Sequence, residues 1–152
     1  MEPKIERLLD GIGKKIVNVL QKSARISFSD LGRKVGLSTP AVTERVRKLE
    51  DAGVLLGYHA VINAAKVGLS VTAFIHITTS SQNYPKILSV INTLEQVLEC
   101  HHISGEESFI MKVIVPSVTH LESLVKQLSP YGQTKTAIVL STPCVKRCID
   151  LS

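Results

Sequence analysis

The fold is decided by the stretch SFSDLGRKVGLSTPAVTERVRKLEDAG, residues 27–53. Its first part predicts a very short helix, because Ser27 and Asp30 have the spacing of a capping box. Gly36 is placed to end this helix, since glycine readily takes the left-handed conformation that follows a helix. The inward face of the helix is apolar and consists of Leu31 and Val35.

The second part of the stretch predicts a longer helix. It begins at Ser38 or Thr39, because both side chains cap helices, and Pro40 fits a first turn in which no backbone N–H is required. Gly53 is placed to end it. Two short helices joined by a Gly-containing turn have the spacing of a helix-turn-helix, whose second helix lies in the major groove of DNA. The apolar face of this helix consists of Val42, Val46 and Leu49.

The polar face of the second helix is therefore a candidate DNA-reading surface. We expect its cations to neutralise phosphates and its polar residues near the helix N-terminus to reach base edges. The alternative is a solvated helix surface without a partner. The predicted phosphate contacts are Arg45, Arg47 and Lys48, the predicted base contacts are Ser38, Thr39, Thr43 and Glu44, and Pro40 belongs to the same DNA-binding set.

An amphipathic helix precedes this pair in IGKKIVNVLQKSAR, residues 12–25, where apolar side chains recur with helical spacing. Residues 1–57 carry eleven Lys and Arg against seven Asp and Glu, a net charge of +4, whereas residues 58–152 carry seven against six, a net charge of +1. A localised basic segment favours a polyanionic partner. We therefore predict a DNA-binding domain over residues 1–57, with double-stranded DNA as its partner.

The apolar pattern changes at residue 71 from helical spacing to alternation, which is typical of a strand. Later runs predict the order strand, helix, strand, strand, helix, strand, with a hairpin that bends at Gly105 and Glu106. Thr119 and Glu122 have capping-box spacing ahead of the second helix of this region. The order of elements is that of a ferredoxin-like βαββαβ domain.

The fold class is therefore α+β, with a linker over residues 58–70 and a second domain over residues 71–152. A four-stranded sheet with both helices on one face leaves its other face in need of cover. Self-association through that face would supply the cover. A symmetric homodimer also suits a protein that reads two DNA half-sites.

Other classes of protein fit the composition poorly. No stretch approaches the roughly 20 apolar residues that cross a bilayer, and the first residues lack the apolar core of a signal peptide. Three cysteines are too few for a secreted disulfide framework. We therefore expect reduced thiols, no membrane partner and a cytoplasmic location.

A metal site and an enzyme are both disfavoured. Thiolates and imidazoles are the donors that zinc prefers, but the spacing in CHH and CVKRC does not match paired ligand motifs. No Gly-rich phosphate loop, nucleophile elbow or H-E-x-x-H helix is present. We predict no resident metal, no cofactor and no enzymatic activity. The metal-ligand candidates set aside in this way are Cys100, His101, His102, Cys144 and Cys148.

With both halves considered together, the chain resembles the Lrp/AsnC, or feast/famine, family of transcriptional regulators. The resemblance rests on IVNVLQKSARISFSDLGRKVGLSTPAVTERVRKLEDAGVLLGY, residues 16–58, and more loosely on ISGEESFIMKV and SPYGQTKTAIVLS in the second half. It implies a winged helix-turn-helix, a β hinge near residues 54–65, and a C-terminal RAM-type domain for effector binding and oligomerisation. It also implies dimers that assemble into octamers, and a response to amino acids in many members.

The chain departs from the family pattern at the start of the first helix. Gly13 stands where the family usually has Asp, and we expect Asp10 to serve the helix N-terminus instead.

A second departure lies in the family's G-x-x-D hairpin motif, which is the predicted effector site. The motif reads Gly105, Glu106, Glu107, Ser108, so a hydroxyl replaces the usual acid. Serine is a weaker, uncharged acceptor for the ammonium group of an amino acid. Either one of the two glutamates substitutes, or the effector differs, or none binds.

We predict a sequence-preferring transcriptional regulator that responds to an amino acid or a related small molecule. One alternative is a ligand-independent architectural protein of the same fold that bridges DNA. The other is a metal- or small-molecule-binding protein whose basic helices have no partner.

Overall fold

The computed structural model describes residues 3–151. These divide into two compact units. The first contains the described residues up to Val61 together with those from Cys144 onward, and the second spans Ile62–Pro143. The predicted α+β class is confirmed, since the first unit is helical and the second holds a four-stranded sheet.

The first unit contains four helices around one apolar core. The sequence predicted three, and missed the first because six residues are too few for a periodic pattern. The predicted helix over residues 12–25 ends at Lys22, so Arg25 lies beyond it. The helices are α1 (Pro3–Leu8), α2 (Gly11–Lys22), α3 (Phe28–Val35) and α4 (Thr39–Asp51). Their shared core consists of Ile16, Val17, Leu20, Leu31, Val35, Val42, Val46 and Leu49.

Gly13 is required by a close approach between α1 and α2. A Cβ at this position would lie 1.8 Å from the Leu8 carbonyl oxygen, so no larger residue fits without displacement. The predicted role of Asp10 is confirmed, because its Oδ1 accepts from the N–H of Ile12 at 3.1 Å and of Gly13 at 2.7 Å. A carboxylate there satisfies backbone donors that have no partner within the helix.

The predicted ends of α3 are confirmed. Ser27 Oγ accepts from the N–H of Asp30 at 3.1 Å, and Gly36 has a left-handed conformation with φ 76°. Ser38 is the N-cap of α4, although its side chain makes no capping hydrogen bond. Gly53, with φ 66°, follows the end of α4 as expected.

The predicted wing and β hinge are absent from the described residues, because the first strand begins at Val71. Residues 54–63 have no regular structure, and Ala64–Val67 form one short 3-10 turn. A strand needs a hydrogen-bonded partner strand, and the first unit offers none. The resemblance to the family therefore predicted a local structure that the single chain does not form.

The second unit has the predicted ferredoxin-like order and an antiparallel sheet with strand order β2-β3-β1-β4. Both helices cover one face of it. The side chains on that face form the core, which includes Ile75, Ile77, Ile87, Met111, Leu124 and Leu128. The elements are β1 (Val71–Thr78), α5 (Tyr84–Ile91), β2 (Val97–His102), β3 (Phe109–Val115), α6 (Val118–Leu128) and β4 (Gln133–Ile138).

The predicted capping box of α6 is wrong. Ser117 is the N-cap, and its Oγ accepts from the N–H of His120 at 3.4 Å. Thr119 lies inside the helix, and Glu122 forms an ion pair with Lys126 at 2.7 Å instead. The N-cap lies two residues earlier than predicted because Ser117, in extended conformation, is already available as a cap.

The C-terminal segment also differs from the prediction, which assigned it to the second domain. Gln21 of α2 holds Ile149 by two hydrogen bonds, from Gln21 Nε2 to the carbonyl oxygen at 3.0 Å and from the Ile149 N–H to Gln21 Oε1 at 2.7 Å. Leu151 packs against the helical core of the first unit. The segment has no regular structure, so tertiary contacts alone determine its position.

Candidate functional sites

The exposed face of α4 carries the predicted DNA-binding residues. The helix is held in place by Val42, Val46 and Leu49, which are at most 1% exposed. The opposite face is therefore directed to solvent with little freedom to rotate. The predicted residues that are exposed on this surface are Ser38, Thr39, Pro40, Thr43, Glu44, Arg47 and Lys48.

The angle between α3 and α4 depends on Gly32. A Cβ on this residue would lie 2.6 Å from the Leu37 carbonyl oxygen and 3.5 Å from Val42 Cγ1. The Leu37 N–H donates to the Gly32 carbonyl oxygen at 2.9 Å, which closes the turn over the glycine. The turn between α3 and α4 therefore requires a residue without a side chain at position 32.

Arg45 differs from the other predicted phosphate contacts. Its Nη1 lies 2.8 Å from Asp10 Oδ1 and 3.0 Å from Oδ2, and only 34% of its side chain is exposed. It therefore ties α4 to the N-terminus of α2, and its predicted phosphate contact, which stays a prediction, would compete with this pairing. The Gly13 N–H, first, and the Arg45 guanidinium lower the pKa of the Asp10 carboxyl.

This ion pair predicts a pH-dependent loss of stability. Asp10→Asn keeps a capping side chain but removes the charge, so we expect it to cost at most about 1 kcal/mol at pH 7, because both partners are partly exposed. Since the pKa of Asp10 is lowered, its contribution is present above the ordinary value of 3.8 and lost as the pH falls through the lowered pKa. Urea unfolding at neutral and acidic pH measures both effects. In an Arg45→Gln background the same change should cost much less, and an unchanged cost would contradict the pairing.

Arg47 and Lys48 remain available for phosphate. Arg47 Nε lies 3.8 Å from Asp51 Oδ2, and Lys48 Nζ lies 3.3 Å from Glu44 Oε1. All four side chains are more than half exposed. Such surface pairs contribute at most about 1 kcal/mol, so a phosphate can replace the carboxylate partner at little cost.

Thr43 keeps one hydrogen-bonding function free. Its hydroxyl donates to the Thr39 carbonyl oxygen at 2.8 Å, which leaves the oxygen as an acceptor and the methyl group exposed along the helix. An acceptor suits the amino groups of adenine or cytosine in the major groove, and a methyl group suits thymine.

At the hairpin of the second unit, Ser108 is committed to the fold. It is 7% exposed, and its hydroxyl donates to the Thr79 carbonyl oxygen at 3.0 Å and accepts from the Thr79 N–H at 3.1 Å. Both functions of the hydroxyl are used to hold the hairpin against the end of β1. The contact of Ser108 with an effector stays a prediction, and the structure shows its hydroxyl engaged by Thr79.

Of the two glutamates on the hairpin, Glu107 forms an ion pair and Glu106 forms none among the described residues. Glu107 Oε1 accepts from Lys135 Nζ at 3.2 Å, and this hydrogen bond is the first cause that lowers the pKa of the Glu107 carboxyl. Glu106 is exposed, and within residues 3–151 its carboxylate forms no ion pair. Gly105 has φ 125° with open space around it. Of the four predicted residues, Glu106 offers the most accessible acceptor for a cationic group.

The commitment of Ser108 is testable through stability. Ser108→Ala should cost about 1–3 kcal/mol, because the partly buried Thr79 N–H and carbonyl group lose their partner. Ser104→Ala on the same hairpin is the matched control, since Ser104 is exposed and should change stability little. Urea unfolding followed by circular dichroism measures both variants. Equal, small effects would show that the hydroxyl is not part of the fold.

The face of the sheet opposite the helices carries a row of four side chains, of which only His101 was named from the sequence, as a metal-ligand candidate. His101, Ile110, His76 and Lys135 lie in register across all four strands. His76 Nδ1 is buried and has no hydrogen-bond partner among the described residues. The sequence indicated this position only by placing His76 among apolar residues of a strand. The structure shows that packing buries its Nδ1 without a hydrogen-bond partner among the described residues.

Two further classes of site are not found within residues 3–151. No group of three or more His, Cys, Asp or Glu side chains is arranged to hold a metal ion there. No helix of that range has both the length and the apolar character needed to cross a membrane.

Comparison with known proteins decides the family. The family model of the AsnC-type helix-turn-helix domain matches residues 9–50, and that of the Lrp/AsnC ligand binding domain matches residues 72–147. The HTH-type transcriptional regulator LrpC of Bacillus subtilis (strain 168) is 36% identical over 133 residues, which cover 88% of this chain and 92% of that protein. The chain belongs to the Lrp/AsnC family of transcriptional regulators.

Other known proteins agree with this chain in sequence and structure. The leucine-responsive regulatory protein of Escherichia coli (strain K12) is 35% identical over 140 residues, 87% of this chain and 85% of that protein. The structure of B. subtilis LrpC has a TM-score of 0.85 at 35% identity, over 90% of this chain and 98% of that one. The L-Met complex of a transcriptional regulator from Neisseria meningitidis has a TM-score of 0.83 at 25% identity, over 90% and 92% of the two chains.

Both candidate sites of this Lrp/AsnC protein fall inside the matched domains. The exposed face of α4 lies within residues 9–50, and the hairpin at residues 105–108 lies within residues 72–147. The resemblance inferred from the sequence is confirmed.

Proposed function

We propose that this Lrp/AsnC protein is a sequence-preferring DNA-binding regulator in which α4 lies in the major groove. The observation that carries the proposal is the exposed face of α4, where two cations with replaceable partners stand beside the free acceptor of Thr43. The cations would bind phosphates, and the residues nearer the helix N-terminus would contact bases. The proposed DNA-binding domain is residues 1–57.

The experiment that tests this proposal is fluorescence anisotropy across a salt series. The full chain is titrated onto DNA from upstream of its own gene and onto scrambled DNA of equal length. Tighter, salt-sensitive binding to the upstream fragment is the expected result, because phosphate contacts release counterions and base contacts discriminate between sequences. Equally tight binding to both fragments would contradict a sequence-preferring regulator and favour a protein that organises DNA. No binding at low salt would contradict both functions.

We further propose that the second unit receives an amino acid or a related small molecule at the hairpin, with Glu106 as the acceptor for its ammonium group. The L-Met complex of the Neisseria protein supports this class of effector for the family. With Ser108 committed and Glu107 paired, Glu106 is the carboxylate that a ligand can reach without breaking an existing bond. A thermal-shift screen of the twenty amino acids, repeated with Glu106→Gln, tests this part.

The commitment of Ser108 also favours the second candidate function, a ligand-independent protein that bridges DNA. In that case no amino acid would shift the melting temperature, and DNA affinity would be the same with and without every amino acid. A stabilising amino acid whose effect survives Glu106→Gln would keep the regulator and move the effector away from this residue.

We propose that two copies associate through the sheet face that the helices leave uncovered, and that dimers assemble further toward an octamer. Support comes from Phe74, Ile110 and Ile114, which are only partly buried in one chain. A second copy would cover these three apolar side chains.

Association is expected to be weakened by Ile110→Glu, because the change removes an apolar side chain from the proposed interface and puts there a carboxylate that has to lose its water when two copies meet. Sedimentation velocity measures the change from dimer or larger species to monomer. Leu88→Glu on α5 is the matched control, since Leu88 is 41% exposed on the helical side. Dissociation by the control alone would assign the interface to the helices.

A role in transcription regulation also bears on the location of the protein, on enzymatic activity and on the need for a cofactor. A regulator of this kind acts on chromosomal DNA, so we keep the cytoplasmic location predicted from the sequence. The relatives are transcriptional regulators, and we propose that this chain likewise has no enzymatic activity and needs no resident cofactor. The effector would be a reversible ligand.

A further inference from the structure

A groove lies between α2 and α3 in the first unit. Its volume is about 260 Å³. Val35 is buried and Val19 is half-buried, so together they form an apolar floor. Three exposed lysines, Lys15, Lys22 and Lys34, line the same groove together with Asn18 and Ser23.

The lysines of this groove differ from the cations of α4 in having no ion pair within residues 3–151. Arg47 and Lys48 each have an acidic partner on their own helix. Lys34 lies near enough to Asp30 to help lower the pKa of that carboxyl, whose first cause is the Ser27 hydroxyl, but Asp30 forms its ion pair with Arg33. The groove therefore presents three positive charges that no ion pair among the described residues neutralises.

The chemistry of the groove favours a protein segment over DNA. No residue of α4 lines it, so the DNA-reading helix does not contribute to this surface. A phosphate backbone would meet the lysines but would gain nothing from an apolar floor. A segment with both carboxylates and apolar side chains would use the charges and the floor together, and the lysine stems would extend the apolar contact.

We propose that this groove is a docking site for an acidic segment of a partner protein, with one or two apolar side chains placed over Val19 and Val35. An amphipathic helix laid in a groove between two helices is a recurring mode of peptide recognition. Exposed lysines at the rim steer an acidic partner and set the salt dependence of its binding. The inference does not depend on which DNA sequence or effector the protein binds.

The test uses the full chain and a fluorescein-labelled helical peptide with leucine at every third or fourth position and glutamate elsewhere. Two control peptides replace the glutamates by glutamine or the leucines by serine. We expect the acidic leucine peptide to bind, and both control peptides to bind at least about tenfold more weakly, since each lacks one of the two complementary features.

The matched variants separate a built site from general charge attraction. Lys22→Glu with Lys34→Glu should weaken the acidic peptide by about tenfold or more, while Lys66→Glu with Lys86→Glu, exposed lysines of the second unit, gives the same net charge and should change it little. DNA affinity, measured by anisotropy in parallel, should fall by less than about threefold in either pair. If the groove reversal unfolds the first unit, the glutamine pair Lys22→Gln with Lys34→Gln replaces it.

Three results would overturn the proposal. The first is no binding of the acidic leucine peptide, and the second is equal weakening by the two pairs of variants. The third is a loss of DNA affinity as large as the loss of peptide affinity, which would assign the groove to the DNA-binding surface. Failure of the peptide with intact DNA binding would leave the proposed regulator untouched.

Discussion

Arg47→Ala is expected to weaken DNA binding on every sequence, by about tenfold for each half-site at moderate salt. The Arg47 side chain is 74% exposed on α4, and its Nε lies 3.8 Å from Asp51 Oδ2, so its charge is available to a phosphate. Removal of a charge-assisted hydrogen bond of this kind costs about 1.5–3 kcal/mol, part of which is returned because a weak ion pair no longer has to be broken. The salt slope should also fall by about one for each phosphate that the arginine no longer neutralises.

Thr43→Ala should behave differently. The change removes an acceptor and a methyl group but no charge, so the salt slope should stay the same while the preference between upstream and scrambled DNA shrinks. Anisotropy titrations on both DNAs at several salt concentrations measure affinity, slope and preference together. The donor side of the hydroxyl already bonds the Thr39 carbonyl oxygen, so the helix itself should be little affected.

The control for charge is Lys86→Ala, which removes an exposed cation from α5 in the second unit. It should alter DNA binding by less than about twofold. If Lys86→Ala reduced affinity and slope as much as Arg47→Ala, net charge rather than the face of α4 would determine binding. If Thr43→Ala and Arg47→Ala reduced sequence preference equally, the division between base and phosphate contacts on α4 would be wrong.

Gly32→Ala is expected to destabilise the first unit by about 2 kcal/mol, although alanine is the better helix former. The gain in helix propensity is about 1 kcal/mol, but the new Cβ would lie 2.6 Å from the Leu37 carbonyl oxygen. That oxygen belongs to the turn closed by the hydrogen bond from Leu37 N–H to Gly32, so it cannot move without shifting α4. Overpacking of this kind costs about 1–3 kcal/mol or more.

Thermal unfolding should show a lower melting temperature for the first unit, by roughly 10 °C for a unit of this size. DNA affinity should fall as well, since α4 would be displaced relative to α3. The matched control is Gly11→Ala, because a Cβ at Gly11 meets nothing within 4 Å and should be neutral or slightly stabilising. A neutral Gly32→Ala would mean that the turn relaxes easily and does not determine the position of α4.

The elements that sequence reasoning predicted well are those whose causes are local. Ser27 and Gly36 bracket α3 as their capping chemistry requires, and Val42, Val46 and Leu49 are buried as their spacing requires. The same holds for the alternation along β1. In each case the residues that determine the element lie within the element or next to it, so the prediction did not require knowledge of any distant residue.

The elements that it predicted poorly depend on competition between neighbours or on partners far along the chain. Thr119 and Ser117 both have side chains that can cap α6, and in the structure Ser117 is the N-cap. The hinge near residues 54–65 required a partner strand, and the described residues of the first unit contain no strand. The place of Ile149 depends on Gln21, 128 residues earlier.

The amino-acid sequence was sufficient to predict the helix-turn-helix, the ferredoxin-like order of elements and the exposed face of α4, because periodicity and caps act over short distances. The family was indicated separately, by the resemblance of the sequence motifs to the Lrp/AsnC regulators. Packing decided the roles of particular side chains within these elements. Arg45 forms an ion pair with Asp10, and Ser108 forms hydrogen bonds with Thr79. Gly13 and Gly32 lie where another segment of backbone comes too close for a side chain. Each of these roles depends on which backbone or side chain the folded chain brings within hydrogen-bonding or van der Waals distance, and that proximity is a property of the whole unit.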